Sequence, residues 1–156
     1  MPTLLKHVSG YAETQKSPNK AGIKAPTIYV CLKNIREMVK KTLGDLFTGL
    51  AHLDVHVLFD EEVTADEALK NSDMILILNE DENILKKAWK QGVVSITNPF
   101  IPAVSNYNPN SESGNSFTFQ NFNEWEIFAA IVRALETYKF PYDWKFIEKS
   151  CRKTAA

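Results

Sequence analysis

The sequence predicts one α/β domain of Rossmann-like type, with a mainly parallel sheet flanked by helices. Two observations lead to this fold class. Short runs of β-branched and apolar residues alternate along the chain with segments of helical periodicity, which favours a parallel sheet with right-handed crossovers. The run at residues 74–78 is also continuously apolar, which is typical of a central parallel strand that is covered on both faces. A length of 156 residues suits a single domain of this kind.

The first predicted elements follow Pro26. Residues 27–32 combine β-branched and aromatic side chains, which indicates a buried strand. Residues 35–53 carry apolar side chains at helical spacing, so we expect one amphipathic helix with Gly44 inside it. Residues 55–59 alternate between apolar and polar side chains and predict a second strand.

Capping patterns mark the next two helices. Thr64 precedes an acidic first turn with Glu67 at the capping-box position, so a short helix is expected before the strand at 74–78. A helix that contains Trp89 follows, and Gly92 is placed to end it.

The last third of the chain predicts two more strands and a long helix. Residues 93–97 read as a strand, residues 106–115 as a polar surface loop, and residues 116–119 as a further short strand. Asn123 and Glu126 form a helix cap. Helical spacing predicts that this helix is anchored to the sheet by Trp125, Phe128, Val132 and Leu135.

Bulk composition excludes several functional classes. A net charge of −1 gives no field to attract nucleic acid or an anionic membrane, and no apolar stretch is long enough to span a bilayer. Cys31 and Cys151 lack metal-ligand spacing, and His52 and His56 do not share a helix face, so we expect no metal site. No cofactor motif occurs, and a soluble protein of the reducing cytoplasm is expected.

Two sets of side chains could contact a ligand, although each has a simpler explanation. A solvated connection after a strand explains the acidic cluster of Asp60, Glu61, Glu62 and Asp66. Core packing is the favoured explanation for three aromatic side chains that could otherwise stack on sugars, Trp89, Trp125 and Trp144.

Six segments occur along the chain in a recognisable order. Residues 72–78 place an aspartate before an apolar strand, and residues 87–96 read as helix, glycine and strand. Residues 104–109 and residues 114–119 match a later loop and strand, residues 59–61 end a strand before a short helix, and residues 8–16 open the series. Together these segments resemble the C-terminal domain of bacterial glycogen and starch synthases.

The resemblance implies half of the two-domain GT-B glycosyltransferase architecture, in which this domain binds ADP-glucose or UDP-glucose. It divides the chain into a degenerate opening segment at residues 1–26 and a glycosyltransferase-type domain at residues 27–156. By resemblance, Lys16 matches a lysine that contacts the donor phosphates, and Glu82 stands at the position of a glutamate that contacts the donor sugar. A plain acidic helix start is the simpler explanation for Glu82.

The chain also departs from the family at three donor-site elements. Gly10 occupies the position of a phosphate-binding arginine, and residues 79–83 lack the family's Pro-x-Gly sequence. Residues 98–102 replace a Gly-Gly loop, where Phe100 and Ile101 are expected to fill a ligand pocket rather than open it.

These departures favour a glycogen/starch-synthase-like domain that has lost glucosyl transfer. We expect a pseudoenzyme of carbohydrate metabolism without catalytic residues, kept as a binding or assembly module for a protein partner or a glycan. The alternative is the nucleotide-sugar-binding half of a split glycosyltransferase that another chain completes.

Overall fold

A computed structural model of the chain describes residues 24–33, 35, 43–60 and 63–156. At its centre is a five-stranded sheet in which all paired strands are parallel. The predicted Rossmann-like α/β fold is therefore confirmed, and each predicted strand is present but shorter by one residue. In chain order the strands are β1 (Thr27–Cys31), β2 (His56–Phe59), β3 (Met74–Ile77), β4 (Val94–Thr97) and β5 (Ser116–Thr118).

The order of strands across the sheet, β2-β1-β3-β4-β5, contains one reversal of direction. The chain passes from β1 to β2 on one side, then crosses to β3 on the other side and continues outward to β5. Tyr29 of β1 is consequently in register with Leu58 of β2 and with Ile75 of β3. In open α/β sheets such a switch point leaves a crevice at the carboxyl ends of the strands, where ligands bind.

Two layers of helices cover this sheet. Helix α1 (Gly44–Leu50) packs against α4 (Glu124–Tyr138), and α3 (Glu82–Lys90) packs against α5 (Pro141–Ala155). Both predicted caps are confirmed, since the Thr64 side chain accepts a hydrogen bond from the Glu67 N–H (3.3 Å) and the Asn123 side chain accepts one from the Glu126 N–H (2.9 Å). The remaining helix of the described residues, α2 (Ala65–Asn71), is the one that Thr64 caps.

Two expectations fall partly outside the described residues. Of the helix expected at residues 35–53, the structure describes α1, which begins at Gly44 and ends before Leu53. Gly44 is thus the first residue of the described helix rather than an interior one. The division at residues 1–26 stays a prediction, because residues 1–23 are not described.

The face of α4 that meets the sheet lies beside the face that the sequence predicted. Trp125 is 79% exposed, so the prediction that it anchors the helix is wrong. The other three predicted anchors, Phe128, Val132 and Leu135, are half-buried. The error arises because α4 packs against both the sheet and α1, so two adjacent apolar stripes compete for the core position. The α4 residues that are completely buried are Ile127, Ala130, Ile131 and Ala134.

A buried chain of hydrogen bonds joins the second half of the fold. The Trp89 indole N–H donates to the Ser95 hydroxyl (3.1 Å), which is 2.5 Å from the hydroxyl of Ser116. Ser116 donates in turn to the Asn115 side chain (2.8 Å), which also accepts from the Ser105 N–H (3.0 Å). This chain of polar contacts fixes α3, β4 and β5 against one another, because buried polar groups are costly unless they are paired.

Candidate functional site

The best-supported site is a cavity at the carboxyl ends of β1, β2 and β3, which we name the strand-end pocket. Its volume is about 390 Å³, and it lies at the switch point of the sheet. The lining combines strand ends with the first turns of α2 and α3, and its polar members are Tyr29, Cys31, Lys33, Asp60, Thr64, Asn79, Asp81, Asn83 and Lys87.

The floor of the strand-end pocket is formed by the end of β1. Tyr29 and Cys31 are both buried and are linked by a hydrogen bond between their side chains. Burial raises the pKa of the Tyr29 hydroxyl and of the Cys31 thiol, and the nearby Asp60 charge raises both further. Both groups are therefore neutral at physiological pH and act here as polar contacts rather than as nucleophiles.

One wall is a loop segment that two side chains hold from opposite sides. The Lys33 N–H donates to Asp60 Oδ2 (2.7 Å), and the Lys33 carbonyl accepts from Asn79 Nδ2 (3.0 Å). These bonds leave one oxygen on each clamping side chain, Asp60 Oδ1 and Asn79 Oδ1. Both oxygens are buried, and neither accepts a hydrogen bond within the described part of the chain.

The rim of the strand-end pocket carries charges of both signs. Asp81 is the N-cap of α3, and its Oδ1 accepts from the N–H groups of Asn83 (3.0 Å) and Ile84 (3.2 Å). Lys87 lies 3.8 Å from Asp66 of α2, an exposed ion pair of little energetic weight. With Lys33 on the same rim, the lining has two lysines and two aspartates, and so no excess of positive charge.

The geometry favours a ligand that donates hydrogen bonds. Two buried acceptor oxygens without a donor each cost free energy until a ligand or a bound water donates to them. A phosphate oxygen is itself an acceptor and cannot satisfy them, whereas a hydroxyl or an amine can. No group of three or more metal-ligating His, Cys, Asp or Glu side chains occurs among the described residues.

The sequence-predicted site residues are only partly placed. Lys16 lies outside the described residues. Glu82 is the first residue of α3 and forms an exposed pair with Lys86 at 3.2 Å, the arrangement of a surface helix start. Glu82 does not line the strand-end pocket, whereas its neighbour Asp81 does. The role of Glu82 in donor binding stays a prediction.

The residues of the acidic cluster have different environments. Asp60 belongs to the strand-end pocket, Asp66 is exposed on α2, and residues 61–62 are not described. Of the three tryptophans, Trp89 and Trp144 are buried, as the core-packing explanation predicts, and Trp125 is exposed.

Sequence reasoning missed four of the pocket's polar residues. The sequence predicted Tyr29 and Cys31 as parts of a buried strand and Asn79 as part of a segment that lacks the family's Pro-x-Gly sequence, and it gave Lys33 no role. Cys31, Lys33 and Asn79 stand at or just beyond the end of a predicted parallel strand, and that position was the available signal. Tyr29 lies in the middle of its strand and carried no such signal.

A larger hollow of about 480 Å³ lies between β5, α4 and α5, and its lining is mainly apolar. Its clearest polar contact is internal, since the Tyr107 hydroxyl donates to Asp143 at 2.9 Å. Burial, together with this bond, raises the pKa of Tyr107 to about 12. Because that pair is already satisfied, the hollow offers less for recognition than the strand-end pocket.

Comparison with known proteins supports the fold. No family model and no curated protein sequence matches the chain. Among solved structures it is similar to the catalytic domain of starch synthase IV from Arabidopsis thaliana bound to ADP and acarbose. The TM-score is 0.59 at 16% sequence identity, and the match covers 92% of this chain and 38% of that chain. The chain therefore has a starch-synthase-like α/β fold and spans about 38% of the solved chain.

A further observation concerns the membrane. Among the helices of the described residues, none has the length and the apolar character that crossing a bilayer requires.

Proposed function

We propose that this chain is a glycogen/starch-synthase-like domain that binds a sugar in the strand-end pocket and does not transfer glucose. The ligand is recognised through its hydroxyl groups. The domain would then act as a binding module of carbohydrate metabolism, and a larger assembly would use the bound sugar.

The pair of buried oxygens, Asp60 Oδ1 and Asn79 Oδ1, carries this proposal. The hydroxyls of a pyranose ring can donate hydrogen bonds to such acceptors and bring no charge into the crevice. A bond to the Asp60 carboxylate would be charge-assisted and so stronger than a neutral one.

The proposed loss of transfer rests on the elements that should stabilise a leaving diphosphate. Gly10 stands where the resemblance expects an arginine. The segment at 98–102 has prolines in place of glycines, and the half-buried side chains of Phe100 and Ile101 pack against the core. Removal of a single charge-stabilising contact commonly lowers a rate by about 100-fold or more.

Substitution of Asp60 by Asn tests the binding site with little change to the fold. In Asp60→Asn the amide oxygen can still accept from the Lys33 N–H, while the buried acceptor becomes an N–H₂ donor. We expect this variant to bind maltose about tenfold or more weakly, because hydrogen bonds to charged groups contribute about 1.5–3 kcal/mol. The matched control is Glu67→Gln, which neutralises an exposed carboxylate on α2 outside the pocket lining.

The second candidate, the donor-binding half of a split glycosyltransferase, is favoured by two observations. Lys33 and Lys87 on the rim could contact phosphates, and the match covers only 38% of the starch synthase chain. Transfer of labelled glucose from ADP-glucose or UDP-glucose to glycogen distinguishes the two candidates. The first predicts no incorporation above a no-protein control, with or without added cell extract, and the second predicts incorporation once the extract supplies the completing chain.

A further inference from the structure

A second hollow of about 330 Å³ lies between α1 and α4, away from the strand-end pocket. We name it the Trp125 groove, and its lining is Asp45, Leu46, Glu124, Trp125 and Phe128. None of these residues lines the strand-end pocket. Whatever the groove binds is therefore a separate question from the proposed function, and each site can be tested without the other.

The dominant feature of the Trp125 groove is an exposed aromatic ring on a rigid support. Trp125 is the second residue of α4 and is 79% exposed, more than any other large hydrophobic side chain in the described part of the chain. The start of α4 is held by Glu126, which accepts from the side-chain amides of Asn121 (2.9 Å) and Asn123 (2.7 Å). The indole therefore stands on backbone that is already ordered, which lowers the entropy cost of using it in binding.

The floor of the groove is equally fixed. Phe128 half-fills the space between the two helices, and its ring reaches to 3.0 Å from the position that a Cβ atom on Gly49 would occupy. The glycine thus lets the Phe128 ring lie directly against α1. One turn of α4 consequently presents one exposed ring and one half-buried ring to the same hollow.

Two carboxylates complete the lining, and one has an unused oxygen. Asp45 belongs to the first turn of α1, and Glu124 is the first residue of α4. The Oε2 atom of Glu124 is buried and accepts no hydrogen bond from the described residues. Beside an indole face, these acceptors suit a ligand that has an apolar face and a rim of hydrogen-bond donors.

We propose that the Trp125 groove binds a pyranose ring of an oligosaccharide. The C–H face of the sugar stacks on Trp125, and its hydroxyls donate to the carboxylates of Glu124 and Asp45. A site for an organic cation has similar groups, but such sites surround the cation with aromatic faces, whereas Trp125 presents an open platform. A hydrophobic protein segment would cover the carboxylates of Asp45 and Glu124 without donating hydrogen bonds to them, at a cost in free energy.

The experiment titrates the full chain with maltoheptaose and with cellohexaose, and follows tryptophan fluorescence. Trp89 and Trp144 are buried, so a change in emission on adding sugar reports mainly on Trp125. We expect at least one sugar to shift the emission. In chains that also carry Asp60→Asn, so that the strand-end pocket does not contribute, Trp125→Ala should weaken binding measured by calorimetry about tenfold or more. Trp125→Tyr retains a stacking ring and should recover most of the affinity.

Tyr142→Ala is the matched control, because Tyr142 is also a surface aromatic residue, 70% exposed, and does not line the groove. Its affinity for the sugar should equal that of the unaltered chain. The proposal is overturned if neither oligosaccharide binds, if Trp125→Ala binds as tightly as Tyr142→Ala, or if a trimethyl-lysine peptide binds the groove more tightly than the sugars. Asp60→Asn should leave this binding intact, which separates failure here from failure at the strand-end pocket.

Discussion

Asn115 provides the sharpest test of how the second half of the fold is held together. Its side chain is 3% exposed. It accepts from the N–H of Ser105 (3.0 Å) and the hydroxyl of Ser116 (2.8 Å), and it donates to the carbonyl of Ala103 (2.9 Å) and to Thr154 Oγ1 (3.2 Å). One side chain thereby joins β5, the loop before it and α5.

Asn115→Ala removes all of these bonds and leaves a small cavity. Each net hydrogen bond contributes about 1 kcal/mol, and water can replace part of the loss at the exposed residues Ala103 and Ser105. We therefore expect the free energy of unfolding to fall by about 3 kcal/mol, and the Tm by roughly 6–12 °C for a domain of this size.

Urea and thermal unfolding measure this change, with Asn110→Ala as the control. Asn110 is an exposed residue of the same loop, so its replacement should change stability by less than about 0.5 kcal/mol. Equal stability of the two variants would refute the view that Asn115 organises this region.

Three further predictions concern burial and titration. Ile131→Ala should lower the free energy of unfolding in urea by about 2–5 kcal/mol, because Ile131 is completely buried, whereas Trp125→Ala should change it by under about 0.5 kcal/mol. Similar losses for the two variants would mean that the buried and exposed faces of α4 are wrongly assigned. Burial raises the pKa of Asp73 above its ordinary value, so the free energy of unfolding should fall as the pH rises from about 4 through the higher pKa of the folded state. Urea unfolding should show this pH dependence in the unaltered chain and not in Asp73→Asn, and an identical pH profile for the two chains would contradict the prediction. Burial also raises the pKa of the Cys31 thiol and brings the pKa of the Cys151 thiol to about 12. Both thiols should therefore react with Ellman's reagent at least about 100-fold more slowly in the native chain than in urea, and rapid labelling of the native chain would contradict this.

The sheet could be predicted because each strand carries its own local signal. The runs at residues 27–32 and 74–78 are apolar almost throughout, and a helix with a recognisable cap at Thr64 separates the second strand from the third. The resemblance to starch synthases, drawn from short segments, is supported at the level of fold by a solved structure with 16% identity.

The α4 interface could be predicted only in part, because helical periodicity finds an apolar face but not the neighbour that covers it. Trp125 and Phe128 fit the predicted stripe, and yet the sheet receives the adjacent stripe that contains Ile131. The ring of Phe128 packs against α1 at Gly49. Residue spacing along one helix carries no information about this choice between partners.

The strand-end pocket depends on contacts between distant parts of the chain. Asp60 is 27 positions from Lys33, and Asn79 is 46 positions from it. The sequence placed Asp60 in an acidic cluster and Asn79 in a segment that departs from the family, and neither pattern joins the two to Lys33. Their roles appear only when parallel pairing brings the three strand ends together. Of the two residues assigned by resemblance, Glu82 lies beside the pocket on an exposed turn, and Lys16 is outside the described residues.

An NMR titration of the backbone amides tests the central claim most directly. The Lys33 N–H is bonded to Asp60 and therefore reports on any ligand that reaches the neighbouring carboxylate oxygen. We predict that maltose shifts the Lys33 and Asn79 amide signals, and that ADP alone leaves both signals unchanged. Asp60→Asn should abolish the shifts caused by maltose, whereas Glu67→Gln should preserve them. The same Lys33 shifts produced by ADP alone, or maltose shifts that survive Asp60→Asn, would contradict recognition of a sugar through its hydroxyls at this pocket.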